Sequence, residues 1–158
     1  MTKRYPILAA LLATLALACG TGSGDGHEQQ HHDGHHHGGD GEHDHYTPGM
    51  LRTSEQGLYV VAFYSDPGPP AKGLNTFRLG ITDQAGMAIE GASVTVDLTM
   101  PSHGGHGSDR TPVVEEEAPG IYRVEQASLT MIGVWQVDIT IEHETVGLDT
   151  VTFRFDAL

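Results

Sequence analysis

The sequence predicts an all-β fold, an immunoglobulin-like antiparallel β-sandwich of about seven strands, built from residues 50–158. Three observations predict it. Short segments rich in β-branched and aromatic residues recur between Gly/Pro turn signals, apolar and polar residues alternate within them, and no stretch sustains helical periodicity. The alternation is plainest in Val94, Val96, Leu98 and Met100 against Thr95, Asp97 and Thr99. It returns in Trp135, Val137, Ile139 and Ile141 against Gln136, Asp138 and Thr140. Each of these strands therefore has one face for a core and one for water.

Taken in order, the expected strands are 58–64, 77–82, 93–99, a short 111–114, 121–126, 134–141 and 149–155. Tyr59 and Tyr64 on the first, and Trp135 on the sixth, read as core or rim aromatics. Phe77, Leu79 and Ile81 line one face of the second, which ends at the turn Asp83-Gln84-Ala85-Gly86. Pro101 stops the third by withholding an amide donor. Glu115-Glu116-Glu117 reads as an exposed acidic turn and Ala118-Pro119-Gly120 as a second turn. His143, between Glu142 and Glu144, reads as a solvated turn residue. Val151, Phe153 and Phe155 complete the core.

Residues 1–18 carry Lys3-Arg4 and then an apolar run too short to span a bilayer as a permanent helix, the pattern of a secretory signal. Cys19, the one cysteine of 158 residues, follows Ala16-Leu17-Ala18. That tetrapeptide resembles the lipobox of bacterial lipoproteins, with Ala16 where Leu is usual. The resemblance implies that Cys19 is lipidated and becomes the first mature residue. Several acyl chains anchor firmly, at about 0.8 kcal/mol per buried methylene. The expected location is the cell envelope, and Gly20 after the cysteine favours the outer membrane.

Residues 19–49 hold almost nothing that can enter a core and are expected to be a disordered tether. Eight of the eleven histidines lie there: His27, His31, His32, His35, His36, His37, His43 and His45. Neutral imidazole binds Cu, Zn and Ni, and the interleaved carboxylates add charge and hard oxygen ligands. With no fixed geometry, such binding is labile. Free imidazoles charge near an ordinary pKa of about 6.5, so capture is expected to fail in acid.

The whole chain has 8 Lys+Arg against 21 Asp+Glu, a formal charge of −13. Nucleic acid is excluded as a partner because phosphate contacts need clustered basic residues. Membrane contact is left to the lipid anchor. Cations are the partners that this composition suits.

Within the folded domain the candidate site is Met100-Pro101-Ser102-His103-Gly104-Gly105-His106. The glycines let the loop turn tightly, and His103 and His106 are close enough in sequence to hold one ion. Met100 offers a soft thioether, a combination that suits copper better than calcium or magnesium, although alternation also puts Met100 on the core face. Met131, two residues before Gly133, joins the candidates only if the two strand ends are neighbours. A nucleophile with a positioned base, a carboxylate pair, a phosphate-cradling loop and an HExxH helix are not found, so no enzymatic activity is expected.

Asn75-Thr76-Phe77-Arg78-Leu79, Asp83-Gln84-Ala85-Gly86, Ile89-Glu90-Gly91-Ala92-Ser93-Val94, Met100-Pro101 with its histidines, Gly120-Ile121-Tyr122 and Met131-Ile132-Gly133-Val134-Trp135 resemble the YtkA-like family, related to FixH. The resemblance covers roughly residues 57 to 155. It implies a small envelope β-sandwich, often a lipoprotein, with FixH-type members associated with copper supply during oxidase assembly. This loop departs from the pattern in having no second methionine. Copper, or else zinc, capture and delivery to an oxidase-assembly or efflux protein is the expected function. The alternative is an immunoglobulin-like interaction module of an envelope complex with incidental metal binding.

Overall fold

A computed structural model describes residues 43–158. They form nine strands: β1 Met50–Thr53, β2 Val60–Asp66, β3 Gly73–Thr82, β4 Ser93–Met100, β5 His106–Gly107, β6 Val113–Ala118, β7 Ile121–Leu129, β8 Gly133–His143 and β9 Gly147–Ala157. All strand pairs are antiparallel. One sheet has the order β1-β2-β3-β7-β6 and the other β5-β4-β8-β9. The two pack face to face as an immunoglobulin-like sandwich. Among the described residues no helix is long and apolar enough to cross a membrane.

The alternating residues form the core as the sequence predicts. Val94, Val96, Leu98 and Met100 of β4, Trp135, Val137, Ile139 and Ile141 of β8, and Val151, Phe153 and Phe155 of β9 are buried against Val61 and Phe63 of β2 and Phe77, Leu79 and Ile81 of β3. Phe63 is central, with ring centroids 4.9 Å from Phe77, 5.0 Å from Phe153 and 5.5 Å from Phe155. Tyr59 and Trp135 are buried, whereas Tyr64 is at the rim.

Three expectations are corrected. Glu115-Glu116-Glu117 belongs to edge strand β6, because pairing with β7 satisfies its backbone; the turn is Pro119-Gly120. Glu117 is held between Arg78 at 3.1 Å and Arg123 at 3.3 Å. Strand β7 continues to Leu129 past the point where alternation fails. Gln126 has a φ of 59° at a bulge that adds one residue to β7 relative to β3, after which Ala127 and Leu129 return to the core.

Finally, Asp44 and Tyr46, which the sequence assigns to the tether, lie against the sandwich. Asp44 makes a parallel bridge to Phe155, its amide donates to the Arg154 carbonyl at 2.9 Å, and its carboxylate pairs with Arg52. Tyr46 packs edge-on against Phe63 and Phe155, and its hydroxyl accepts from the Ser65 amide at 2.8 Å. The one aromatic ring in an otherwise polar segment draws that segment onto the open edge of the sandwich.

Candidate functional site

Pro101–His103 form a single 3-10 turn at the end of β4. Gly104 and Gly105 follow with φ of 69° and 78°, left-handed values that side chains resist, and they reverse the chain. His106 then returns opposite Met100. The Gly105 amide donates to the Met100 carbonyl at 3.2 Å, and the Ser108 amide to the Leu98 carbonyl at 3.1 Å, closing the hairpin. Both imidazoles are exposed, and His103 Nδ1 lies 3.1 Å from the Ser102 hydroxyl.

Strand β4 pairs with β8, from Ser93 opposite Glu142 to Thr99 opposite Gln136. The end of β4 therefore abuts the start of β8, the condition that Met131 needed. The 3-10 turn lies against β8. A side chain at Gly133, whose φ is 119°, would meet the Met100 methyl at 3.3 Å. Trp135 Nε1 donates to the Met131 carbonyl at 2.9 Å, pinning the turn before β8. Met131 is half-buried against the core and Ile132 is exposed.

Met100 has no exposed surface. Its neighbour across the strand pair is His106, and directly opposed residues have Cβ atoms about 5 Å apart. The hairpin thus carries two exposed histidines, His106 opposite the buried Met100, at the strand end beside the turn that holds Met131. Among the described residues, no three His, Cys, Asp or Glu side chains converge as a metal cage. His143 stands at the opposite end of β8, where Nδ1 lies 3.2 Å from the Thr145 hydroxyl.

Asp44 lies at this same end of the sandwich. His106 faces Met100, Met100 continues the register towards Trp135, Trp135 faces Phe155, and Phe155 is bridged by Asp44. Four strand-to-strand steps of about 4.8 Å separate the hairpin from Asp44, about 19 Å across the sheet. His43 and His45 flank Asp44. Cys19, the leader, and His27, His31, His32, His35, His36 and His37 lie outside the described residues.

Sequence reasoning missed Gly133 as a packing position and Asp156 as a partner of His43, 2.8 Å away. Gly before Val134-Trp135 was a legible signal for the first. The second depends on a pairing between residues more than a hundred positions apart.

Fold and loop together define a small immunoglobulin-like β-sandwich with a histidine-bearing hairpin at the end where a histidine-rich segment joins it. The chain belongs to the YtkA-like family, whose model matches residues 53–140. No functionally curated protein matches it in sequence. Among solved structures it is similar to a DUF4426 family protein of Pseudomonas aeruginosa PAO1, with 13% identity and a TM-score of 0.50 over 69% of this chain and 96% of that one. It is also similar to a copper-bound variant of FetP from uropathogenic Escherichia coli strain F11, with 12% identity and a TM-score of 0.48 over 72% and 97%. FetP as isolated after expression in the periplasm gives 13% and 0.48 over 72% and 95%. At 13% identity the likeness to the DUF4426 family protein is one of fold.

Proposed function

We propose that this protein is a lipid-anchored, non-enzymatic metal-binding protein of the cell envelope, with copper as its first cargo and zinc as its second. His103 and His106 hold the ion from the solvent side. Met131 and, beneath the hairpin, Met100 bias the site towards copper because thioethers are soft donors. The tether histidines capture ions and raise their concentration at the rim. Delivery to an oxidase-assembly or efflux protein is by ligand exchange, which an exposed two-imidazole site permits.

One observation carries the reading. The Met100–His106 pairing, and a Met100 methyl that would stand 3.3 Å from a Cβ placed on Gly133, set the hairpin beside the strand end reached from Met131. The test uses the mature chain with alanine at the eight tether histidines. Copper titration against a chromogenic chelator should show one equivalent, lost in the His103→Ala/His106→Ala variant, while Met131→Leu should weaken Cu(I) and leave Zn unchanged. Binding no tighter than in a scrambled-loop control overturns the proposal and favours an interaction module. The observation behind that rival is an apolar hollow of about 180 Å³ on the five-stranded sheet, lined by Leu51, Val60, Ala62, Pro119 and Ile121 around Gly80.

A further inference from the structure

We infer that His43 and His45 form a second, structured binding site for a first-row divalent ion, built on the domain's own edge and oriented by Asp156. This site is independent of the hairpin site. Its backbone is held rather than loose: Asp44, between the two histidines, is bridged to Phe155, bonded through its amide to Arg154 and paired through its carboxylate with Arg52. Tyr46, immediately after them, is anchored in the core. On an extended segment, residues two apart project to the same side. His43 and His45 do so, with ring centroids 6.4 Å apart and planes at 68°.

The protonation pattern favours a metal. His43 Nε2 lies 2.8 Å from Asp156 Oδ2. In the neutral ring that nitrogen carries the proton and donates it to the carboxylate, leaving the lone pair on Nδ1. Nδ1 is buried and has no hydrogen-bond partner among the described residues. A buried acceptor without a partner is costly, and a histidine that donates its other N–H to a carboxylate is the usual arrangement behind a metal ligand. A tetrahedral ion held by two imidazoles through bonds of about 2.0 Å sets their centroids roughly 5 Å apart, so the exposed His45 ring must close on His43 by about 1 Å from the observed 6.4 Å. Asp156 acts by orienting His43. Two imidazoles leave coordination positions open to water, which suits an ion that is passing from tether to domain.

The mature chain with alanine at His27, His31, His32, His35, His36, His37, His103 and His106 retains His43, His45 and His143 as its only histidines. Zinc titrated into this chain should bind at one equivalent. Affinity should fall about tenfold or more in His43→Ala and in His45→Ala, about tenfold in Asp156→Asn, and not at all in His143→Ala. In nitrogen-detected NMR, zinc should shift His43 Nδ1 while Nε2 keeps its proton. If His43→Ala loosens the docked segment, the isosteric Asp156→Asn carries the test. Equal affinity in the His43→Ala/His45→Ala variant, or coordination through Nε2, overturns the proposal. Because the hairpin histidines are absent, failure here is separate from failure of the hairpin site.

Discussion

Removing the Asp149 carboxylate is expected to destabilise the domain without touching the proposed metal sites. Asp149 is 2% exposed, yet ionised and multiply bonded. The Gln56 amide donates to both its oxygens at 3.1 and 3.0 Å, Leu58 to Oδ2 at 3.2 Å, and Thr150 to Oδ1 at 2.8 Å. Burial pushes its pKa up, but the Ser54 hydroxyl and these amides outweigh burial and hold it below the usual value of 3.8. Hydrogen bonds to a charged group contribute about 1.5–3 kcal/mol each on deletion, non-additively, and water can reach part of the 54–58 loop. Asp149→Ala should therefore cost about 3 kcal/mol, or roughly 12 °C in Tm at about 4 °C per kcal/mol. Asp149→Asn keeps the shape but turns an NH2 group towards amide donors, and should cost about 2 kcal/mol.

Urea unfolding followed by Trp135, the sole tryptophan, measures both variants. A carboxylate whose pKa is lowered on folding adds stability that is present above its unfolded pKa of about 3.9 and lost as pH falls through the folded value. The gap between the natural protein and Asp149→Asn should thus be full at pH 7 and shrink below about pH 4. Metal binding should not change, because the Ile141–Asp149 pairing is six residues along the strands from Trp135–Phe155, about 20 Å away. An Asp149→Asn variant within 0.5 kcal/mol of the parent at pH 7, or a gap that is constant down to pH 2.5, would refute this account.

Two further outcomes concern packing. Tyr122 donates its hydroxyl to the Ile89 carbonyl at 2.8 Å and accepts from the Ala92 amide at 3.0 Å. Tyr122→Phe orphans both groups and should cost about 2 kcal/mol by urea unfolding, tying the 83–92 crossover to β7. Gly133→Ala imposes a side chain at a φ of 119° and presses on Met100, so it should cost about 2 kcal/mol and weaken Cu(I) binding by displacing the thioether. Unchanged stability in Gly133→Ala would mean that Met100 has room to move.

Much of the sandwich was legible because period two in a half-buried strand is a local property. Alternation alone marks Val94 to Met100 and Trp135 to Ile141 as inward faces, and these residues are buried. The same criterion missed β1 and β5, whose strands are short and mostly exposed, and it stopped at Gln126, where a bulge resets the period. Within the candidate site, the strand stop at Pro101 and the tight loop at the two glycines were legible, and the return of His106 to pair with Met100 was not. Whether Met131 stands near it was not, since that follows only from the β4–β8 register.

By itself the sequence determined the fold class, the inward residues and the turn-forming glycines, because each depends on neighbours a few positions apart. Tertiary structure alone decided which strand ends meet: Met100 beside Gly133, His43 beside Asp156, and Asp44 beside Phe155. The physical reason is that strand order and register are set by packing two whole sheets around one core, a condition that no local window contains.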